Sequence, residues 1–188
     1  MSMSVPRCRI VSVHTFGGDH GAFGRQVRKA LDDEKNGVGI GPSRLECLLY
    51  AGHTGVSTDS DNVIYGFNPD FGHVPIWQGM QSLRNGDAFA GVVVDDTQVF
   101  AEARKHRLKV QAFDLILPNP AFQDFELRLS TERKKSRFTY GFPDGDGDCN
   151  CITWLERLAL PLLSGNMDEF AALPGFRMYP KRRFGQCI

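Results

Sequence analysis

The chain predicts an α+β domain in which a mostly antiparallel sheet packs against a helix that opens on a cysteine. Three observations carry this expectation. The stretch Leu45–Ser57 reads as a strand ending in the small-residue run Gly52-His53-Thr54-Gly55-Val56. After the polar turn Thr58-Asp59-Ser60-Asp61-Asn62 it is followed by Val63-Ile64-Tyr65-Gly66-Phe67, which is the pattern of a hairpin. From Cys151 onward, Ile152, Leu155, Leu158 and Leu162 recur at helical spacing, with Trp154 and Leu163 widening the apolar stripe. The 188 residues, 41% hydrophobic and 23% charged, suffice for one domain over 1–188 with a real core built from two such layers.

The remaining elements fall in order around that pair. Arg9–Phe16 alternates as a strand and Gly17-Gly18-Asp19 ends it. Ala22, Phe23, Val27, Ala30 and Leu31 then mark a helix whose wet face carries Arg25, Arg28, Lys29, Asp32, Asp33 and Glu34. This strand and helix, 8–35, read as an N-terminal elaboration. The glycine-rich run from Asn36 to Pro42 lacks the Lys-Ser/Thr pair of a phosphate loop and reads as a plain connection. Pro69 is expected to close the hairpin, and residues 68–90 read as a long loop holding a short helical turn at most. Phe89–Val94 is a further strand. Asp95-Asp96-Thr97 caps a helix over Val99, Phe100 and Ala103. Lys109–Leu117 alternates as a strand up to Pro118-Asn119-Pro120, and Phe122, Phe125, Leu127 and Leu129 lie on a helix that turns basic near Arg133–Arg137. Beyond the cysteine helix, Ser164-Gly165 breaks the chain, Met167–Phe170 gives one more turn, and 176–188 form a basic, aromatic tail.

Charge and cysteine usage bound the function. Lys+Arg and Asp+Glu both total 22, so no global charge argues for nucleic acid or an anionic membrane. Neither a signal-peptide run at the N-terminus nor an apolar run long enough to span a bilayer is present, which predicts a chain made in the cytoplasm without stable membrane insertion. Action outside the cell would require a specialised export route. Five cysteines, an odd and scattered set, make a poor disulfide framework and predict free thiols.

Cys151 sits where a loop becomes a buried helix, with Asn150 or Asp148 available as the cap. Helix-start N–H groups lack intrahelical partners, favour an anion there and can hold an oxyanion. His53 lies on a strand with glycines at 52 and 55, which leave room for a ligand or another backbone. A thiol and an imidazole are the working pair of a cysteine hydrolase. The sulfur attacks a carbonyl, the imidazole takes and returns the proton, and the helix start stabilises the tetrahedral intermediate.

The motifs Gly52-His53-Thr54-Gly55-Val56, Tyr65-Gly66-Phe67-Asn68-Pro69 and Asn150-Cys151-Ile152-Thr153-Trp154-Leu155 resemble circularly permuted papain-like hydrolases over roughly 45–165. That group includes permuted relatives of the NlpC-type cell-wall peptidases and the lecithin:retinol acyltransferase family, in which the histidine strand precedes the cysteine helix. The order is also similar to that in some effector toxins delivered by type VI secretion. The resemblance implies a permuted papain-like fold, Cys151 as nucleophile and His53 as general base, without a cofactor or metal. It places an imidazole-orienting group near Tyr65, a departure because a tyrosine hydroxyl carries no negative charge. Asn68, Asp59 and Asp61 stand as alternatives. Cys149 competes for the nucleophile role, although Cys151 directly precedes the apolar periodicity; a disulfide between two cysteines so close would be strained.

The resemblance further implies hydrolysis of a peptide amide, in peptidoglycan for an antibacterial effector, with an immunity or secretion protein as partner. A deamidase or transglutaminase on a host protein, or an acyltransferase, would use the same thioester. Zinc at Cys149, Cys151 and His53 lacks the usual Cys-x-x-Cys spacing. Asp144-Gly145-Asp146-Gly147-Asp148 begins like a calcium loop but has Cys149 and Leu155 where glycine and glutamate belong. A non-enzymatic binding module would use the basic runs at 132–137 and 177–183.

Overall fold

The structure, a computed structural model, describes residues 8–142 and 147–159. These form strands β1 (Cys8–Gly17), β2 (Gly52–Thr58), β3 (Tyr65–Asp70), β4 (Phe89–Asp95), β5 (Gln111–Pro118) and β6 (Thr139–Tyr140), with helices α1 (Ala22–Lys35), α2 (Arg44–Ala51), α3 (Ile76–Asn85), α4 (Thr97–Lys105), α5 (Asn119–Lys134) and α6 (Cys151–Ala159). The strands make one antiparallel sheet in the order β5-β1-β2-β3-β4-β6, so the architecture is α+β as expected. Although it reads as an elaboration in the sequence, β1 is an inner strand bonded to both β2 and β5. Among the described residues no helix is long and apolar enough to cross a membrane.

Side chains of successive strand residues alternate between faces, and here the two faces have separate cores. Val11, Val13, Val56, Tyr65 and Phe67 pack with Phe122, Phe125 and Leu129 of α5 and with Ile152, Trp154, Leu155 and Leu158 of α6. Trp154 is fully buried and stacks on Phe67 with ring centroids 5.5 Å apart. Phe16 packs on the other face with Leu49 of α2 and with Val99, Phe100 and Ala103 of α4. Of the basic run before β6, Arg137 bonds buried Glu132 at 3.0 Å and Arg133 lies 4.0 Å over the Tyr65 ring.

Three expectations are corrected. Residues 45–51 are helix, because Ser43 and Glu46 form a capping box: the Glu46 N–H donates to Ser43 Oγ at 3.2 Å and the Ser43 N–H donates to Glu46 Oε2 at 2.7 Å. Gly52 then turns the chain from helix to strand at φ +84, where a Cβ would also stand 2.9 Å from the Phe16 carbonyl oxygen. Pro69 does not close the hairpin; β3 runs on to Asp70, in register with β4. The β2–β3 ladder has already ended at the Gly55–Gly66 pair, so a residue without an N–H is tolerated on that open side. Finally, the supposed loop contains ten-residue α3, which turns Ile76, Met80 and Leu83 toward a cavity and ends on Gly86 in the left-handed region. The break at Ser164-Gly165, the turn at 167–170, the basic tail and the Asp144–Asp146 part of the acidic turn lie outside the described residues.

Candidate active site

Helix α6 begins with a complete cap. Asn150 Oδ1 accepts from the N–H groups of Ile152 (2.9 Å) and Thr153 (3.0 Å), while Thr153 Oγ1 accepts from the Asn150 N–H at 2.9 Å. The Trp154 N–H bonds the Asn150 carbonyl at 2.9 Å, which leaves the Cys151 N–H as the first-turn donor that the cap does not engage. Asn150 therefore serves as the cap. Asp148, the other candidate, accepts from Thr139 N and Oγ1, both at 2.9 Å, and ties the approaching chain to β6.

Cys151 and His53 line one cavity of about 420 Å³. His53 is 2% exposed, in register with Phe16 on the face covered by α4, and its ring lies 6.0 Å from that of Phe100. Its Nε2–H donates to Asp96 Oδ2 at 2.9 Å. Asp96, 1% exposed, also accepts from Asn68 Nδ2 at 2.7 Å on the same oxygen and from Arg44 Nη2 at 2.8 Å on the other. The ring's second nitrogen, Nδ1, is buried without an aligned hydrogen bond among the described residues. After Asp96, Cys151 is the neighbour that most raises the ring's affinity for a proton.

Burial by itself would drive the His53 pKa down. The hydrogen bond and charge of Asp96, with the Cys151 thiol, outweigh it and raise the imidazole to about 9. Burial opposes the Asp96 charge too, but His53, Asn68 and Arg44 hold its carboxyl below the usual carboxylate range. The signs give a pH window. A raised His53 contributes stability that is complete below its ordinary pKa of about 6.5 and is lost as pH rises through about 9. A depressed Asp96 contributes stability above about 4, lost as pH falls through its lower folded value. Urea midpoints are therefore expected to fall between about pH 6.5 and 9 in the wild type, and this alkaline decline is expected to flatten in His53→Ala.

Asp96 is the site residue that the sequence does not announce. It reads as a helix cap, and it occupies that position, but neighbouring Asp95 makes the side-chain bond, from the Thr97 N–H to Oδ1 at 2.9 Å. Asp96 is thereby free to reach under the sheet. The space it enters is Gly66, where a Cβ would lie 2.0 Å from Asp96 Oδ2 and 2.4 Å from His53 Nε2. Two adjacent aspartates before a helix, where one suffices, together with a glycine on the strand facing His53, were the available signal.

Tyr65, expected to orient the imidazole, faces the other way. It is in register with Val56 and shares that residue's face, whereas His53 is three residues from Val56 and so points to the opposite one. The Tyr65 hydroxyl donates to Asp61 Oδ2 at 2.9 Å, which also occupies Asp61. Asp59 is held by Arg9 at 2.6 Å, largely by side-chain hydrogen bonding. Tyr65→Phe is expected to change Cys151 reactivity less than about twofold, as judged by the rate of thiol alkylation, because the group it removes is remote from the imidazole. Asn68 does belong to the site, as a second donor to Asp96. Cys149 packs in the core, its N–H bonding the Thr139 carbonyl at 3.1 Å, and does not line the cavity. Among the described residues no group of three His, Cys, Asp or Glu side chains is placed to hold a metal ion.

In comparisons with known proteins, no family model, no curated protein and no solved structure matches the chain.

Proposed function

We propose that this chain is a cysteine hydrolase of papain-like organisation that cleaves an amide bond through a Cys151 thioester. The single observation that carries the reading is the buried His53 imidazole, held by Asp96 on one nitrogen and neighboured by Cys151, at the wall of a cavity. Asp96 fixes the tautomer: with Nε2–H donated to the carboxylate, Nδ1 is the nitrogen that accepts the thiol proton. The sulfur then adds to the carbonyl carbon, and the developing oxyanion is received by the Cys151 N–H at the helix start. His53 returns its proton to the departing amine, and water, deprotonated by the same imidazole, hydrolyses the thioester.

Asp96 is a positioning residue in this scheme, stabilising the imidazolium that forms midway. Its second oxygen is held by Arg44, so the carboxylate cannot rotate away without breaking three bonds. The substrate we favour is a peptide amide of peptidoglycan, as an antibacterial effector would require. The resemblance of the His53 and Cys151 motifs to NlpC-type peptidases supports that choice. Purified sacculi are expected to release soluble fragments with the wild type and none with Cys151→Ala. A mass increase of about one unit on a protein target, without fragment release, would instead make the enzyme a deamidase.

A further inference from the structure

The cavity beside Cys151 is unlike a site built for a polar side chain. Part of its wall is helix α3 with the chain before it, which contribute Phe71, Val74, Ile76 and Met80, and Val92 of β4 lines it as well. The polar side chains in the lining are already engaged: Asp96 holds His53, Asn68 and Arg44, Asn150 caps α6, and Asp70 accepts from the Gly72 N–H. An apolar lining gains by removing apolar ligand surface from water, and a charged group placed against it would lose its hydration without a partner. At about 420 Å³ the space lies near the small end of ligand sites, enough for one substantial apolar group of a larger substrate.

Resting on the nucleophile role of Cys151, we propose that helix α3 is the specificity wall of the site: it selects acyl groups bearing an apolar substituent next to the carbonyl that Cys151 attacks, and Met80 contacts that substituent. The apolar group can come from a peptide residue or from an aliphatic acyl chain, which share the chemistry of the contact. Met80 suits the role because its unbranched thioether adapts to irregular apolar shapes. It is half-buried on the cavity side of α3, one helical turn beyond Ile76.

Chloromethyl ketones test this directly. The Cys151 sulfur displaces chloride from the methylene carbon, forming a C–S bond as the C–Cl bond breaks, while the thiol proton passes to His53. Acetyl-leucyl and acetyl-aspartyl chloromethyl ketones, with 1-chloro-2-decanone as the aliphatic arm, are compared by peptide mass at Cys151, each rate divided by that of iodoacetamide on the same variant. The leucyl or the decanone reagent is expected to outpace the aspartyl reagent at least about tenfold, as burial of a side-chain-sized apolar surface implies. The faster of the two identifies the source of the apolar group. In Met80→Glu the ratio is expected to collapse to below about threefold, and in Met80→Leu to persist. Equal normalised rates in the wild type, with iodoacetamide labelling still dependent on His53, would overturn the specificity wall alone. Labelling indifferent to His53 would overturn the nucleophile reading and this inference with it.

Discussion

Asp96→Asn is expected to lower turnover by about 10³- to 10⁴-fold while leaving the chain folded. The asparagine has the shape of the aspartate but not its charge, and the hydrogen bond to a charged carboxylate is the largest influence that keeps a fully buried imidazole protonatable. Burial is the strongest influence on His53 and pushes its pKa down; only the Asp96 and Cys151 contributions bring it up to about 9. With the carboxylate gone, the imidazole is expected to titrate well below that value, and an imidazolium formed during the reaction would have no counter-ion beside it. The measurement is a histidine titration by NMR alongside turnover. An unchanged His53 titration in the variant would remove Asp96 from the mechanism. Arg44 adds a further consequence: 49% exposed on its side chain, it would lose its buried partner and have only solvent to satisfy that donor.

Gly66→Ala is the second large expected effect. The added methyl carbon would stand 2.0 Å from Asp96 Oδ2 and 2.4 Å from His53 Nε2, between two atoms that are themselves 2.9 Å apart. Something must shift, and the carboxylate and imidazole are the groups that can. Displacing a catalytic geometry by about 1 Å costs on the order of 10²-fold in rate, and overpacking a filled interior costs about 1–3 kcal/mol in stability. Turnover and urea midpoint measured together separate the two losses. Gly17→Ala, where the added methyl meets nothing within 4 Å, is the control and is expected to change neither appreciably. Full activity in Gly66→Ala would mean that the His53–Asp96 contact is dispensable.

These two residues also mark where the sequence could and could not be read. The strand bearing His53, the helix opening at Cys151 and the cap at Asn150 were legible because each has a local cause: small residues in alternation, apolar residues at helical period, a side-chain oxygen ahead of bare N–H groups. Asp96 was hidden because its job is tertiary. Next to a helix start, an aspartate has a sufficient local explanation, and only the folded sheet, with Gly66 paired to Gly55, shows that a glycine lies against the His53 ring. Tyr65 misled through the same register, since one position along a strand exchanges faces. Helix α2 was misread although Ser43 and Glu46 have capping-box spacing, because the apolar run Leu48–Ala51 continues directly into the strand. In α3, glycines and prolines nearby masked the spacing of Ile76, Met80 and Leu83. That omission concealed the cavity wall, and with it any view of which substrate group the site would prefer.

In the proposed mechanism His53, held by Asp96, takes the proton of Cys151. Its most direct test is the rate of iodoacetamide labelling as a function of pH for the wild type, Cys151→Ala, Cys149→Ala, His53→Ala and Asp96→Asn, with the modified cysteine identified by peptide mass. Labelling is expected at Cys151, undiminished in Cys149→Ala and slowed at least about tenfold near neutral pH in His53→Ala and Asp96→Asn. Labelling of Cys151 at the same rate and with the same pH profile in all variants that retain it would mean that His53 does not take the thiol proton.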